Sequence, residues 1–442
     1  MSAREGNLQA PTRHPVDWRN PEFYDQAALE AELARVFDIC HGCRRCVNLC
    51  NAFPTLFDLI DESASMDVTG VDPTDYNQVV EQCYLCDLCY MTKCPYVPPH
   101  EWNVDFPHLM LRAKAVKFEK HGARLRDRML TNTGATGRIA SLPLVVNLVN
   151  AGNRQPALRR VMEKTLGIAA EAKLPEFHRK GLSKRLAGLD DRRTPQAAGP
   201  TTGSIALVGT CYGERNDPQS SVDLVAVLQH NGIAVQLAEG LRCCGMPKLE
   251  LGDLKRVEKL KQHNIPRLAA LVEQGCDLLA PIPSCVLMFK KELPLLFPDD
   301  SEVQRVAQAF YDPFEYLLLR HKAGRLNTDF SQALGKIVYQ AACHQRVQNI
   351  GPRTRAVLEL IPGTQVTVIE RCSGHDGTYA VKRETRQAAL KITRPVVRRI
   401  QATQADHFCS DCPMAASHIG SQLEGASPAL HPISLIRQAY GL

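Results

Sequence analysis

Cys40-His41-Gly42-Cys43-Arg44-Arg45-Cys46-Val47-Asn48-Leu49-Cys50 and Cys83-Tyr84-Leu85-Cys86-Asp87-Leu88-Cys89-Tyr90-Met91-Thr92-Lys93-Cys94-Pro95 hold eight of the 17 cysteines of this chain. Three cysteines spaced two residues apart let one short segment aim three thiolates at one face of an iron–sulfur cube. A fourth, after three or four intervening residues, points away and ligates a neighbouring cube. The spacing therefore assigns Cys40, Cys43, Cys46 and Cys94 to one 4Fe-4S cluster, and Cys83, Cys86, Cys89 and Cys50 to a second. Zinc prefers two well-separated Cys-x2-Cys pairs around a tetrahedron and suits these complete runs less well.

Working outward, a chain of 442 residues has room for about two to four domains with their own cores. Its 44% hydrophobic and 23% charged content is that of a soluble globular protein. Met1 to Arg13 is polar and lacks the apolar core of a secretory signal. So many thiols without export argue for metal ligation in a reducing cytoplasm. No stretch approaches 18 consecutive apolar residues, so no span is expected. Residues 1–32, broken by Pro11, Pro15 and Pro21, read as an N-terminal arm, either docked or a loose tail. Residues 33–110 then form the α-helical ferredoxin-like domain, with helical spacing of Leu29, Leu33 and Phe37 leading into Cys40. His100, Trp102 and His108 read as packed, hydrogen-bonded side chains, with contact to a cluster or partner as the alternative.

Residues 111–200 differ in character, with 19 Lys or Arg against 7 Asp or Glu, while the whole chain carries only +6. Within this basic helical linker lies the apolar run Ile139 to Val149, flanked by arginines on both sides. That pattern fits an interfacial membrane contact; a buried helix under a solvated basic face is the plainer reading. Nucleic acid is not expected, because no base-stacking or groove-reading motif accompanies the charge. Residues 186–203 read as a connector.

The remaining residues repeat. A short buried strand ends before Cys211 (Ser204–Val208) and again before Cys343 (Lys336–Tyr339). A helix follows each. A second strand delivers Cys243-Cys244-Gly245 and then Cys372-Ser373-Gly374. A third leads to Pro283-Ser284-Cys285 and to Cys409-Ser410-Asp411-Cys412. Corresponding cysteines recur at offsets of 132, 129 and 127 residues. Strands alternating with helices imply a small parallel sheet in each copy, with ligands at the strands' carboxyl ends. The expected fold is α+β: the arm, the ferredoxin-like 2×4Fe-4S domain (33–110), the linker (111–200) and two repeated α/β Cys-Cys-Gly modules (201–326 and 327–442). Cys276 falls outside the pattern and reads as a core thiol. Gly209-Thr210-Cys211-Tyr212-Gly213 is no dinucleotide fingerprint, and neither a phosphate loop nor a nucleophile elbow is present.

Two ferredoxin-like runs followed by two Cys…Cys-Cys-Gly…Cys modules resemble the heterodisulfide reductase-related iron–sulfur proteins of the Cys-Cys-Gly domain family. That group includes the iron–sulfur subunits of anaerobic glycerol-3-phosphate dehydrogenase, of glycolate and lactate oxidation, and of heterodisulfide reductase. The resemblance implies electron transfer from a flavoprotein dehydrogenase towards quinone, or catalysis at a cluster in the modules. It also implies, from related proteins, a role as donor to a rubrerythrin-type peroxide scavenger. The fuller family pattern has five cysteines per module. Here four remain in each: Cys211, Cys243, Cys244 and Cys285, then Cys343, Cys372, Cys409 and Cys412. Met288 stands where copy one would close a Cys-x2-Cys, and Ser373 replaces a cysteine in copy two. Four thiolates suffice for one further cube or for zinc, the latter leaving only the ferredoxin domain redox-active. His344, Arg371 and His375, at the strand ends of copy two, are the candidate catalytic residues, with hydrogen bonding to a cluster as their alternative role. The expected place is the cytoplasm, with the inner membrane face open to peripheral contact.

Overall fold

The computed structural model describes residues 10–189, 191, 193–423 and 429–442. The first nine residues of the arm, and Asp190 and Arg192 of the connector, lie outside them. The chain mixes helices with two all-parallel sheets.

The amino-terminal unit is helical: α1 (Gln26–Cys43), α2 (Ala52–Asp61), α3 (Tyr76–Gln82), α4 (Leu88–Thr92) and α5 (Phe106–His121). Asp25 caps α1 by accepting the Ala28 N–H at 2.7 Å, and Leu29, Leu33, Val36 and Phe37 give it one buried face. After Cys50 the chain forms α2, whose Phe53, Leu56, Phe57 and Ile60 are buried. Phe106 packs between Phe37 and Phe53, tying α5 across both. Helix α5 runs through residue 111, so the basic segment begins inside a core helix.

That basic segment continues as α6 (Leu125–Thr131), α7 (Thr133–Ala140), α8 (Val145–Arg154) and α9 (Pro156–Leu166). It is not an idle spacer. Arg126 makes a bidentate pair with Glu384 (2.8 and 2.6 Å), and Ala169 N–H bonds Val381 O at 2.8 Å, pinning it to the second module.

The first sheet has the order β2-β1-β3-β4, from β1 (Ser204–Leu207), β2 (Ala234–Leu237), β3 (Asp277–Leu279) and β4 (Phe310–Tyr311). The second has the order β6-β5-β7, from β5 (Lys336–Gln340), β6 (Gln365–Ile369) and β7 (His407–Ser410). Strand alternation sets the layers. Ile205 and Leu207 share one core with Ile337 and Tyr339 of the other sheet, so the modules bury sheet faces in common. Ala206 and Val208 point the other way, into the core continuous with α1 and α5. Helices Leu254–Glu273 and Arg386–Thr403 are equivalents, and each carries an internal proline, Pro266 and Pro395, 129 residues apart. The short strand β4 and its following helix Pro313–Lys322 have no copy-two counterpart among the described residues.

Candidate functional site: four groups of buried thiols

Cys40 and Cys43 occupy the last turn of α1, and Arg44, in the left-handed region (φ 51°), ends it with its N–H on Cys40 O at 2.9 Å. Cys83 ends α3, Leu85 (φ 53°) and Asp87 (φ 59°) turn the chain, and Cys89 lies in α4. Burial pushes the Cys40 thiol well up, helped by Cys94, Cys46 and Cys43. Cys46 rises to about 12 by burial and by Cys94 and Cys43, and Cys94 to about 11. These four thus face one another. Burial lifts Cys50 to about 12, with Cys83 as its nearest charged neighbour. Cys89 responds to Cys83, Cys46 and Cys50, so it looks towards both groups. Cys86 faces Asp376, Cys343, Cys372 and Cys50, which sets the second run directly against the second module.

Backbone N–H groups are aimed at these sulfurs. Tyr96 and Val97 donate to Cys94, Ala52 and Phe53 to Cys50, and Leu85 to Cys83. Met414 and Ala415 do so to Cys412, and Gly374 to Cys372 at 3.3 Å. Buried thiolates crowded together repel, and amide donors alone do not neutralise them; a multiply charged iron–sulfur core does, and takes the same N–H bonds. The donor sets therefore fit that group. Among the described residues no three His, Cys, Asp or Glu side chains converge on a point that would hold one metal ion.

In the first module Cys211 and Cys243 lie 3.8 Å apart, and Thr133, at the start of α7, donates to both at 3.2 and 3.4 Å. Cys285 is 3.2 Å from the Thr210 hydroxyl. Donation from Cys211 and Cys244 lowers the Cys243 thiol. In the second module Cys343 senses Cys412, and Cys372 senses Cys343. Cys409 does not join them. It is 0% exposed on β7, in the core it shares with Tyr339 and Ile205, and burial, then Asp411, is what raises its thiol. Cys409, expected as a ligand, thus packs on the core face of β7, opposite the face that carries Phe408. Cys276 is the core thiol expected, 3.0 Å from Gln236 Nε2.

The third residue of each motif must be glycine. Gly245 has φ 108° and Gly374 φ 72°, and a Cβ on Gly374 would lie 2.4 Å from Ala389 O. The helices behind them hold each motif with one side chain. Asn264 donates to Cys243 O at 3.0 Å, and Thr393 to Ser373 O at 2.7 Å. Asn264 and Thr393 are 129 residues apart, the motif's own offset, a periodic signal the cysteine pattern hid.

The three candidate catalytic residues differ in their surroundings. His344 is buried, its Nδ1 2.8 Å from Ser284 Oγ across the modules, and burial lowers it to about 4. His375, lowered by burial to about 4, leaves its Nε2 without a partner, with the His418 ring 6.1 Å away. Arg371 is exposed. His108 bonds Asp105 at 3.1 Å, while His100 and Trp102 pack with Tyr96 beside Cys94.

Comparison with known proteins matches the cysteine-rich domain family, CCG, at residues 205–290 and again at 337–419, the two sheets described above. The chain is 26% identical over 343 residues to an anaerobic glycerol-3-phosphate dehydrogenase subunit of Escherichia coli (strain K12), covering 76% of this chain and 82% of that protein. It is 26% identical over 217 residues to "Lactate utilization protein A" of Bacillus licheniformis, 47% of this chain and 87% of that one. It is 24% identical over 255 residues to a fumarate reductase (CoM/CoB) subunit of Methanothermobacter marburgensis, 55% and 48% respectively. The two matched stretches are the two parallel-sheet modules, each carrying a Cys-Cys-Gly or Cys-Ser-Gly loop, and there the chain is similar to the cysteine-rich domain family.

Proposed function

We propose that the chain is an iron–sulfur electron-transfer subunit, relaying electrons between a redox partner protein and a final acceptor. The single observation that carries this is the series of thiol groups. Cys46 and Cys89 join the first group to the second, and Cys86 joins the second to Cys343 and Cys372. Tyr212, raised by burial and then by Asp217, Cys412 and Cys211, lies between the second module and the first. Two 4Fe-4S clusters on the amino-terminal runs and one further cluster in each module would supply one-electron transfer. The chain's own part is to hold thiolates in a dry interior with amide donors on them. The relatives carry names of dehydrogenase and reductase subunits, which supports a redox partner protein; a flavoprotein dehydrogenase as donor and quinone as acceptor are the specific form proposed. The domain limits 33–110, 111–200, 201–326 and 327–442 belong to this proposal.

The test is the metal content of anaerobically purified full-length protein. More than about eight irons per chain are expected, with matching sulfide. Cys244→Ala should lose the first module's share of the surplus and Cys412→Ala the second module's, each keeping the rest. About eight irons with one or two zinc ions, unchanged in both variants, would remove the modules from the relay.

A second reading concerns where the chain works. The segment 125–166, helices α6–α9 with their connections, carries most of the exposed large hydrophobic residues among those described, among them Leu144 at 91% and Leu148 at 74% exposure. The apolar run is therefore not a buried helix. Among the described residues no helix is long and apolar enough to cross a membrane. Arg124, Arg138, Arg154 and Arg160 surround the patch, a combination suited to lying on anionic lipid. Binding to phosphatidylserine vesicles should fall steeply with salt and weaken in Leu144→Ser/Leu148→Ser, each engaged arginine contributing about 1 kcal/mol. Salt-independent binding, or none, rejects this reading.

A further inference from the structure

We infer that Asp376 is the fourth ligand of the second module, completing Cys343, Cys372 and Cys412 with a carboxylate oxygen. The inference rests on the reading of the modules as iron–sulfur sites and gives the second of them its own chemistry.

The second module is one thiol short. The first presents four, Cys211, Cys243, Cys244 and Cys285. In the second, Ser373 stands where Cys244 would be, and its hydroxyl accepts the His375 N–H at 3.3 Å. Cys409 is spent in the core. Three thiols remain, and a cube has four iron corners.

Asp376 fills the open place. It follows Cys372 by four residues, and the Cys372 thiol donates to its Oδ2 at 3.5 Å. Its backbone is held in an uncommon conformation, φ 31°, between Gly374 (φ 72°) and Gly377 (φ 52°). The Tyr379 N–H closes this turn on Asp376 O at 2.8 Å. A non-glycine residue kept at positive φ needs a reason. Here the turn aims the carboxyl at the sulfurs and not at solvent.

Its surroundings make the carboxyl hard to explain otherwise. Among the described residues it forms no ion pair with any Lys, Arg or His. The neighbouring cations are engaged elsewhere: Lys382 donates to the Tyr84 hydroxyl at 2.7 Å, and the Lys114 ammonium sits over the Tyr84 ring. An acid packed among buried thiols without a cation is costly unless a metal centre supplies the charge.

A carboxylate is a harder, weaker donor to iron than a thiolate. The iron that bears it is the one most readily lost or exchanged. One-electron oxidation by ferricyanide would expel that iron as Fe2+, turning a 4Fe-4S2+ core into 3Fe-4S+ while ferricyanide becomes ferrocyanide. The all-thiolate first module should resist the same treatment.

The experiment compares anaerobically reconstituted full-length wild type, Asp376→Asn, Asp376→Cys and Cys343→Ser. Iron release and the EPR signal of the oxidised three-iron cluster are followed during ferricyanide titration. Wild type should develop that signal. Asp376→Cys, with four thiolates, should suppress it, and isosteric Asp376→Asn should develop it with less ferricyanide than wild type. If Cys343→Ser strips the module's iron while wild type and both Asp376 variants behave alike, Asp376 is not a ligand and the cluster reading survives. If Cys343→Ser removes no iron, the second module holds no cluster and both readings fall.

Discussion

Gly374 and Gly188 separate two costs that are usually measured together. Both sit at positive φ, 72° and 86°, but only Gly374 has backbone in the way. Gly188→Ala should cost about 1–2 kcal/mol, the left-handed penalty alone. Gly374→Ala also drives a methyl into the helix carbonyl of Ala389 and should cost about 3 kcal/mol or more. Chemical denaturation of the two variants checks this, and equal losses would mean that the helix yields. The cysteines were legible because metal ligation fixes both residue type and spacing. Thr133, Asn264 and Thr393 were not, because a hydroxyl or amide that supports a thiolate looks like any other polar residue until the fold brings it near. His108 offers a pH test away from the thiols. Against burial and Arg13, which oppose protonation, the Asp105 and Glu292 carboxylates raise it to about 9, though its Nε2 stands 3.9 Å from Glu292, too far for a hydrogen bond. Asp87 and Arg13 complete its charged surroundings. A raised folded value stabilises fully below the ordinary value near 6.5 and is lost as pH climbs through about 9. Wild type should thus lose up to about 3 kcal/mol relative to His108→Gln between pH 6 and pH 10. Parallel pH–stability curves for the two proteins would refute the linkage.

At the scale of elements, the amino-terminal arm is the clearest gain over the sequence. Its prolines and polar residues fit a tail as well as a strap, since nothing local distinguishes them. The structure shows a strap. Val16 N–H bonds Leu295 O at 2.9 Å, Trp18 Nε1 donates to Leu296 O at 3.0 Å, and Tyr90 donates to Thr12 O at 2.8 Å. Arg13 is its key residue, reaching Asp105 at 2.9 Å and Asp87 Oδ1 at 3.1 Å, with Glu292 of the first module 3.7 Å away. It therefore bolts the turn between Cys86 and Cys89 to the carboxyl-terminal half. Arg13→Ala would leave buried acids without their cation, at a cost of about 3–5 kcal/mol. Arg13→Met tests whether charge or bulk matters. Unfolding midpoints should drop for both; a wild-type midpoint in Arg13→Met would assign the strap to packing alone. The repeated strands were legible nearly to the residue, because strands buried on both faces read as short apolar runs. The unrepeated β4 was not, being two residues long.

For the whole molecule, the sequence foretold two repeated modules behind two cysteine runs but not which run meets which module. That junction depends on contacts far apart in the chain. Tyr84, inside the second run, packs edge-to-face on Tyr379 at 5.2 Å and receives Lys382, both just beyond the Cys372 loop. The second run thus docks on the second module, and the proposed relay runs in the order first run, second run, second module, first module. This order has a magnetic consequence. Unpaired spins on neighbouring reduced clusters broaden and split each other's EPR signals, and the effect falls steeply with separation. In fully reduced protein the second-run centre should be coupled on both sides, to the first run through Cys46 and Cys89 and to the second module through Cys86 and Cys372. Cys372→Ser should therefore narrow the second-run signal while leaving that of the first run unchanged. Cys244→Ala, which empties only the first module, should leave both ferredoxin-type signals as they are. Tyr84→Ala gives an independent check, because it loosens the docking without touching a thiol; coupling should weaken while the iron content stays constant. Should Cys244→Ala narrow the second-run signal and Cys372→Ser not, the path would run through the first module, and the junction built on Tyr84, Tyr379 and Lys382 would be structural only.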